Sequence, residues 1–176
     1  EIPSVNTFGA DEEGVPVEEG MAVFFEKRLT ELGLSVQSHD VEGGRRNVWG
    51  TLKGTGGGPT ILLAGHFDTV GVAAYDGPFN GVVKNGNVYG RGSCDMKAGL
   101  ATYLEVVRLL QQLNQPLSGD LINAGIVEEE HAMIGSAEFG RPGPNVDFAI
   151  VAEPSSLNIS AAHKGQVCLS VTTTGK

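Results

Sequence analysis

The sequence predicts an α/β domain built on a mixed, mostly parallel sheet with helices on both faces. Three observations predict it. Thr60-Ile61-Leu62-Leu63-Ala64 is a short, continuous apolar run, the pattern of a strand covered on both faces. Amphipathic segments of helical period alternate with such runs along the chain. Glycine makes up 26 of the 176 residues, about twice its usual share, so the chain must turn tightly and often.

In chain order, Val17 to Leu32 places Met21, Phe24, Phe25, Leu29 and Leu32 at helical spacing, and Gly33 stops the helix. Leu34 to Val41 and Asn47 to Lys53 read as strands joined by the turn-forming Glu42-Gly43-Gly44. Gly54 to Gly58 is a loop. It lacks the Gly-Lys-Ser/Thr ending of a phosphate loop and precedes a strand rather than a helix. Asn85-Gly86 signals a hairpin between two short strands. Asp95 to Leu113 is the longest amphipathic segment, with Leu100, Tyr103, Leu104, Val107 and Leu110 on one side. Leu121 to Val127 reads as a second buried strand, Ile134 to Phe139 as a short helix, and Val146 to Ala152 and Asn158 to Ala162 as further strands.

Hydrophobic residues at 40% and charged residues at 19% suit one soluble globular domain with a real core. The net charge of -9 disfavours nucleic acid and anionic membranes as partners. No apolar run approaches the roughly 18 residues that span a bilayer. The acidic stretch from Asp11 to Glu31 reads as a solvated surface. Cys94 and Cys168 form no Cys-x-x-Cys pair, so a thiolate metal knot is excluded and free thiols in a reducing, cytoplasmic setting are expected. The chain opens Glu-Ile-Pro, so its sequence does not decide whether a signal peptide exists.

Four motifs carry the chemistry. Gly65-His66-Phe67-Asp68-Thr69-Val70 lies at the C-terminal end of a buried strand, where open α/β sheets bind ligands. Residues i and i+2 of an extended chain point the same way, so Asp68 can approach the His66 imidazole and orient it. Gly90-Arg91-Gly92-Ser93-Cys94-Asp95-Met96-Lys97-Ala98-Gly99 puts Asp95 at the mouth of the long helix. Glu128-Glu129-Glu130 follows a buried strand, where cations would relieve the repulsion of three carboxylates entering a cleft. Ala152-Glu153-Pro154-Ser155-Ser156 ends another strand. Each motif alone has a structural alternative: a packed His-x-Asp, a helix cap at Asp95, a solvated charge run, a loop glutamate. Together they put one histidine and several carboxylates on one sheet edge, a donor set for zinc, manganese or cobalt, singly or as a pair about 3.5–4 Å apart.

In these motifs and their order, from Ile2-Pro3-Ser4-Val5-Asn6 to Gly175-Lys176, the sequence resembles the dinuclear metallohydrolases that include acetylornithine deacetylase, succinyl-diaminopimelate desuccinylase, aminoacylase and glutamate-releasing carboxypeptidases. The resemblance implies a zinc-exopeptidase-like catalytic domain and two divalent cations, zinc first and cobalt or manganese as alternatives. It implies that His66 and Glu153 bind one metal, that Asp95 bridges both, and that Glu130 binds the second. Asp68 would orient His66, and Glu129 would act as general acid and base. Gly135, five residues after Glu130, supports this register over a shifted one. A cis peptide after Asp95 is also implied. His39, His131 and His163 match no family ligand and read as structural or surface residues. Gly71 stands where the family usually has proline, the loop from Val72 to Asn80 lacks the usual tryptophan, and Glu128 replaces a common aspartate.

Carried further, the resemblance implies residues 1–163 as an incomplete catalytic domain and 164–176 as the first strand of a lid and dimerisation domain. A distant histidine would complete the second metal site, so this piece alone is expected to be inactive and the full-length protein a homodimer. The implied reaction is amide hydrolysis of an N-acyl amino acid by water that two cations activate. The alternatives are a dipeptidase or carboxypeptidase of the same family, a lidless aminopeptidase sharing the core, and an inactive metal-binding relative.

Overall fold

The computed structural model describes residues 2–7, 18–141, 143–162, 164–165, 167 and 169–175. Its first helix, α1 (Glu19–Glu31), buries Met21, Ala22, Phe25 and Leu29, while Phe24 of the expected apolar stripe stays exposed. The expected start at Val17 lies outside the described residues. Strands β1 (Ser35–Val41) and β2 (Arg45–Leu52) form an antiparallel pair around Glu42-Gly43-Gly44. Then come β3 (Ile61–His66), the hairpin of β4 (Val82–Lys84) and β5 (Asn87–Tyr89), α2 (Lys97–Gln112), β6 (Leu121–Ile126), α3 (Ile134–Phe139) and β7 (Phe148–Val151). At the hairpin, Asn85 and Gly86 take φ of 52° and 76°, the paired positive values of a type I′ turn.

The main sheet has the order β1-β2-β6-β3-β7. β3 pairs in parallel with both β6 and β7, whereas β2 is antiparallel to β1 and β6. Four strands therefore run one way and β2 alone runs against them. Alternation along the strands sends Leu63, Phe67, Leu121 and Val127 to the face covered by α1 and α2. Leu62, Ala64, Ile122, Ala124 and Ile126 go to the other face with Trp49, against which Phe139 of α3 packs edge-on at 5.4 Å. Helices thus lie on both faces, as expected.

Two contacts on the α1 side position the strand ends that matter below. The Phe67 ring meets Phe25 edge-on at 5.4 Å, tying α1 to the residue after His66. Beneath that ring sits Gly125, where a Cβ would fall 2.1 Å from Phe67 Cζ, so only glycine leaves room for it. The N-terminal segment is laced to the same strand end. Ser4 Oγ donates to the Phe67 carbonyl at 2.7 Å, and Asn6 N and Thr69 N exchange bonds with the Thr69 and Ser4 carbonyls.

One expected strand does not form. Residues 158–162 pair with no strand, and Ile159 is 98% exposed. Its alternation of apolar and polar residues suits a strand, yet β7, the edge it would join, ends at Val151 and the chain turns at Ser155–Asn158 instead. The strand implied at 164–176 is likewise unpaired over its described residues, while His163 and Cys168 lie outside them.

Candidate metal centre

The C-terminal ends of β3, β6 and β7 lie side by side, because these three strands are parallel and adjacent. Each end delivers one of the expected acidic or imidazole groups. His66 closes β3, the glutamate triplet follows β6, and Glu153 stands two residues past β7. Asp95 arrives from the opposite direction, just ahead of α2. It does not cap that helix: the N-cap position is Met96, and no side chain caps it. The Asp95–Met96 peptide is cis, as the resemblance implied.

His66 is the hub. Its side chain is 2% exposed, and Nε2 lies 3.2 Å from Asp95 Oδ1, 3.7 Å from Glu153 Oε1 and 3.8 Å from Glu129 Oε2. One donor atom each from His66, Asp95 and Glu130 falls within 4.8 Å of the others. Nδ1 lies 2.9 Å from the Asp68 backbone carbonyl and 3.3 Å from Asp68 Oδ1. A carbonyl can only accept, so Nδ1 carries a hydrogen and Nε2 is the atom offered to the cleft. Burial pushes the His66 pKa down, but the nearby carboxylates of Asp68 and Glu153 outweigh it and raise the value to about 11.

Asp68 does more than the expected orientation of His66. Fully buried, it accepts from Asn6 Nδ2 at 2.8 Å, from Glu129 N at 3.1 Å and from Glu130 N at 2.9 Å. Burial alone would raise its pKa, yet the bonds from His66, Asn6 and the two backbone amides hold it below the usual carboxylate range.

The glutamate triplet divides. Three carboxylates entering one cleft were expected, but only two are free to do so. Glu128 has φ of 60°, which turns its side chain back into the protein, where it is 4% exposed. There its carboxylate accepts from Ala132 N, Ile134 N and His131 Nδ1. Backbone amides and an imidazole, rather than cations, compensate this member of the triplet. That fold-back also sets the His131 imidazole 3.1 Å from the Glu128 carboxylate. Gly135 is required behind it, since a Cβ there would lie 1.9 Å from the Val127 carbonyl. For Glu129, burial raises the pKa above the ordinary range, His66 counters, and Glu153, Glu130 and Asp68 add to the rise. For Glu130, burial and Asp95 raise it while His66 opposes.

Two residues of this region were not anticipated. Glu18, expected on a solvated acidic face, is fully buried. Its Oε2 accepts from Arg45 Nε at 2.9 Å and its Oε1 from Glu128 N at 3.2 Å. Asn47, also fully buried, accepts from Val127 N at 3.0 Å and donates to the Gly135 carbonyl at 2.8 Å. Of the rest of the acidic stretch that was read with Glu18, Glu19, Glu26 and Glu31 keep partly exposed carboxylates on α1, and Asp11 to Glu13 lie outside the described residues.

Residues 62–167, more than half the chain, match peptidase family M20/M25/M40. The chain belongs to that family. Among relatives, this M20/M25/M40 chain is 37% identical over 147 residues to the N-formyl-4-amino-5-aminomethyl-2-methylpyrimidine deformylase of Bacillus subtilis, covering 80% of this chain and 34% of that one. It is 34% identical over 172 residues to the acetylornithine deacetylase of Vibrio campbellii, covering 94% of this chain and 43% of the other. Among solved structures it resembles aminopeptidase PepT of Bacillus cereus, with a TM-score of 0.65, 28% identity and coverage of 85% and 39%. A tripeptidase of Staphylococcus aureus gives a TM-score of 0.64 at 26% identity, with coverage of 77% and 38%. The M20/M25/M40 chain therefore spans well under half the length of these relatives.

Proposed function

We propose that the chain carries the catalytic centre of a metal-dependent amidohydrolase that removes an acyl group from the nitrogen of a small molecule such as an N-acyl amino acid. The single observation that carries this reading is the convergence of Asp95, Glu129 and Glu153 oxygens within 3.8 Å of His66 Nε2. Uncompensated, three carboxylates that close repel one another. The donor set of one imidazole and several carboxylates fits divalent cations such as zinc, cobalt or manganese. His66, Asp95 and Glu153 would hold one ion, and Asp95 and Glu130 would hold a second. Bound there, such ions supply Lewis-acid activation of water and of the scissile carbonyl.

The chain's own residues do the rest. Glu129, with a raised pKa, accepts a proton from the attacking water and returns it to the departing amine nitrogen. Its backbone N–H is fixed by Asp68, so its carboxylate starts from a defined anchor. Asp68 stays ionised, keeping the hydrogen on His66 Nδ1 and Nε2 directed at the cleft.

Deacylation is favoured because the sequence relatives named above, 37% and 34% identical over most of this chain, are a deformylase and a deacetylase. Peptide cleavage is the second reading, supported by the two peptidase structures. The test is to load the polypeptide carrying this chain with zinc and compare N-formyl, N-acetyl and N-succinyl amines with di- and tripeptides. Faster turnover of peptides would reverse the order of the two readings. No turnover of either class, with zinc bound, would remove both.

A further inference from the structure

The turn from Val127 to Glu130 makes no ladder bonds through its backbone amides. Instead, four successive N–H groups are each accepted by a side-chain oxygen: Asn47 for Val127, Glu18 for Glu128, and Asp68 for Glu129 and Glu130. The bond to Glu128 falls on a residue with φ of 60°, a backbone region that a non-glycine side chain disfavours. Whatever holds Glu128 there decides where Glu129 begins.

Glu18 is unusual in how it meets this need. It occupies the N-cap position of α1, where a carboxylate ordinarily accepts from amides of the first helical turn. Here it makes no such bond, and the helix start lacks a side-chain cap. Both carboxylate oxygens point inward, one to Arg45 and one to Glu128 N, with the side chain fully buried. A buried ion pair is a weak source of stability, because desolvation cancels much of its attraction. Burial indeed pushes the Glu18 pKa up to about 7, with Arg45 only partly opposing. Stability alone gives a poor account of this arrangement, whereas geometry gives a direct one. Arg45 fixes the carboxylate at one oxygen, and the other oxygen fixes the Glu128 amide.

We propose that Glu18 is a positioning residue that, clamped by Arg45, holds the Glu128 amide and so sets the placement of the Glu129 carboxylate in the cleft. The inference rests on the reading of Glu129 as the proton carrier, but its first test does not depend on catalysis. Glu18→Gln keeps the size of the side chain and leaves one acceptor oxygen for two donors. The charge-assisted bond to Arg45 is the stronger, so the Glu128 amide should be the one left without a partner.

Hydrogen exchange, read residue by residue, should then be faster at the Glu128 amide by about 10- to 100-fold, with core amides of β6 such as Ala124 unchanged. In Glu18→Leu/Arg45→Met the acceptor and the buried cation are removed together, so no charge is left unpaired, and exchange at Glu128 should again be faster than in the wild type. Should the single variant fail to fold, this double variant decides the matter. Lost protection at Glu128 supports the clamp, and wild-type protection there overturns it. An even rise in exchange across the chain would reduce Glu18 to general support and overturn the proposal, as would no change at Glu128. In the active, metal-loaded polypeptide, Glu18→Gln should lower kcat by about 10- to 100-fold with KM nearly unchanged. Loosened Glu128 exchange with unaltered kcat would overturn the link to Glu129. A Glu129→Gln variant with normal turnover would instead refute the proton-carrier reading and leave the exchange result standing.

Discussion

Asp68 Oδ1 accepts the backbone N–H of Glu129 at 3.1 Å, and the other oxygen of the same carboxylate accepts that of Glu130 at 2.9 Å. The group that faces the histidine of the cleft thus also anchors the turn that brings two glutamates to it. The two tasks need both oxygens and a full negative charge. Asp68→Asn would offer one oxygen and turn an amide toward a backbone N–H. Metal affinity should fall by about 10- to 100-fold, the usual effect of altering a partner that orients a ligand. Calorimetric titration with zinc checks this, and wild-type affinity would show that Asp68 is not needed to shape the site.

Asp95 and Glu129 should separate by kind of effect. Glu129→Gln should keep metal content near normal and lower turnover by about 10²–10⁴-fold or more, the range for loss of a positioned acid or base. Asp95→Ala should lower metal content itself, since its Oδ1 is the oxygen closest to His66 Nε2 at 3.2 Å. Metal analysis and kcat on both variants read the difference.

Metal uptake should release a proton from His66. With its pKa raised to about 11 in the metal-free chain, His66 is protonated at neutral pH, and Nε2 must lose that hydrogen to bind a cation. Affinity should therefore rise about tenfold per pH unit between pH 6 and 9. Calorimetry in buffers of different ionisation enthalpy should count about one proton released per ion held by His66. The sign for stability is opposite. A raised histidine pKa stabilises the metal-free fold fully below about 6.5, the ordinary value, and that contribution is lost as pH climbs through about 11.

Gly125→Ala should destabilise the fold. The added methyl would meet the Phe67 ring, itself fully buried against Phe25. Overpacking of this kind costs about 1–3 kcal/mol, measurable as a lower urea midpoint with an unchanged slope.

The sheet and helices were legible because period and punctuation agreed: the apolar run at Thr60 to Ala64, the Asn85-Gly86 turn and the stripe through Leu100, Tyr103 and Val107 each became the expected element. The strand expected over 158–162 was not formed, because alternation specifies a face but not a neighbour to pair with. At the site, the motifs named His66, Asp95, Glu129, Glu130 and Glu153, which strand ends and the start of α2 bring together only in space. Glu18 and Asn47 escaped notice for the same reason. Glu18 stands in an acidic stretch typical of a wet surface, and nothing local shows that it meets Arg45 and the Glu128 amide, 27 and 110 positions away. The fold-back of Glu128 was hidden because three identical residues in a row give no sign of which one turns inward.

The most direct measurement is a zinc-edge anomalous difference map from crystals of the zinc-loaded chain. The account predicts zinc about 2.0–2.2 Å from His66 Nε2 and from oxygens of Asp95 and Glu153. It also predicts Glu129 close by without a bond to the ion. Zinc seated instead on His131 and Glu128, or bound directly by the Glu129 carboxylate in place of Asp95, would contradict it.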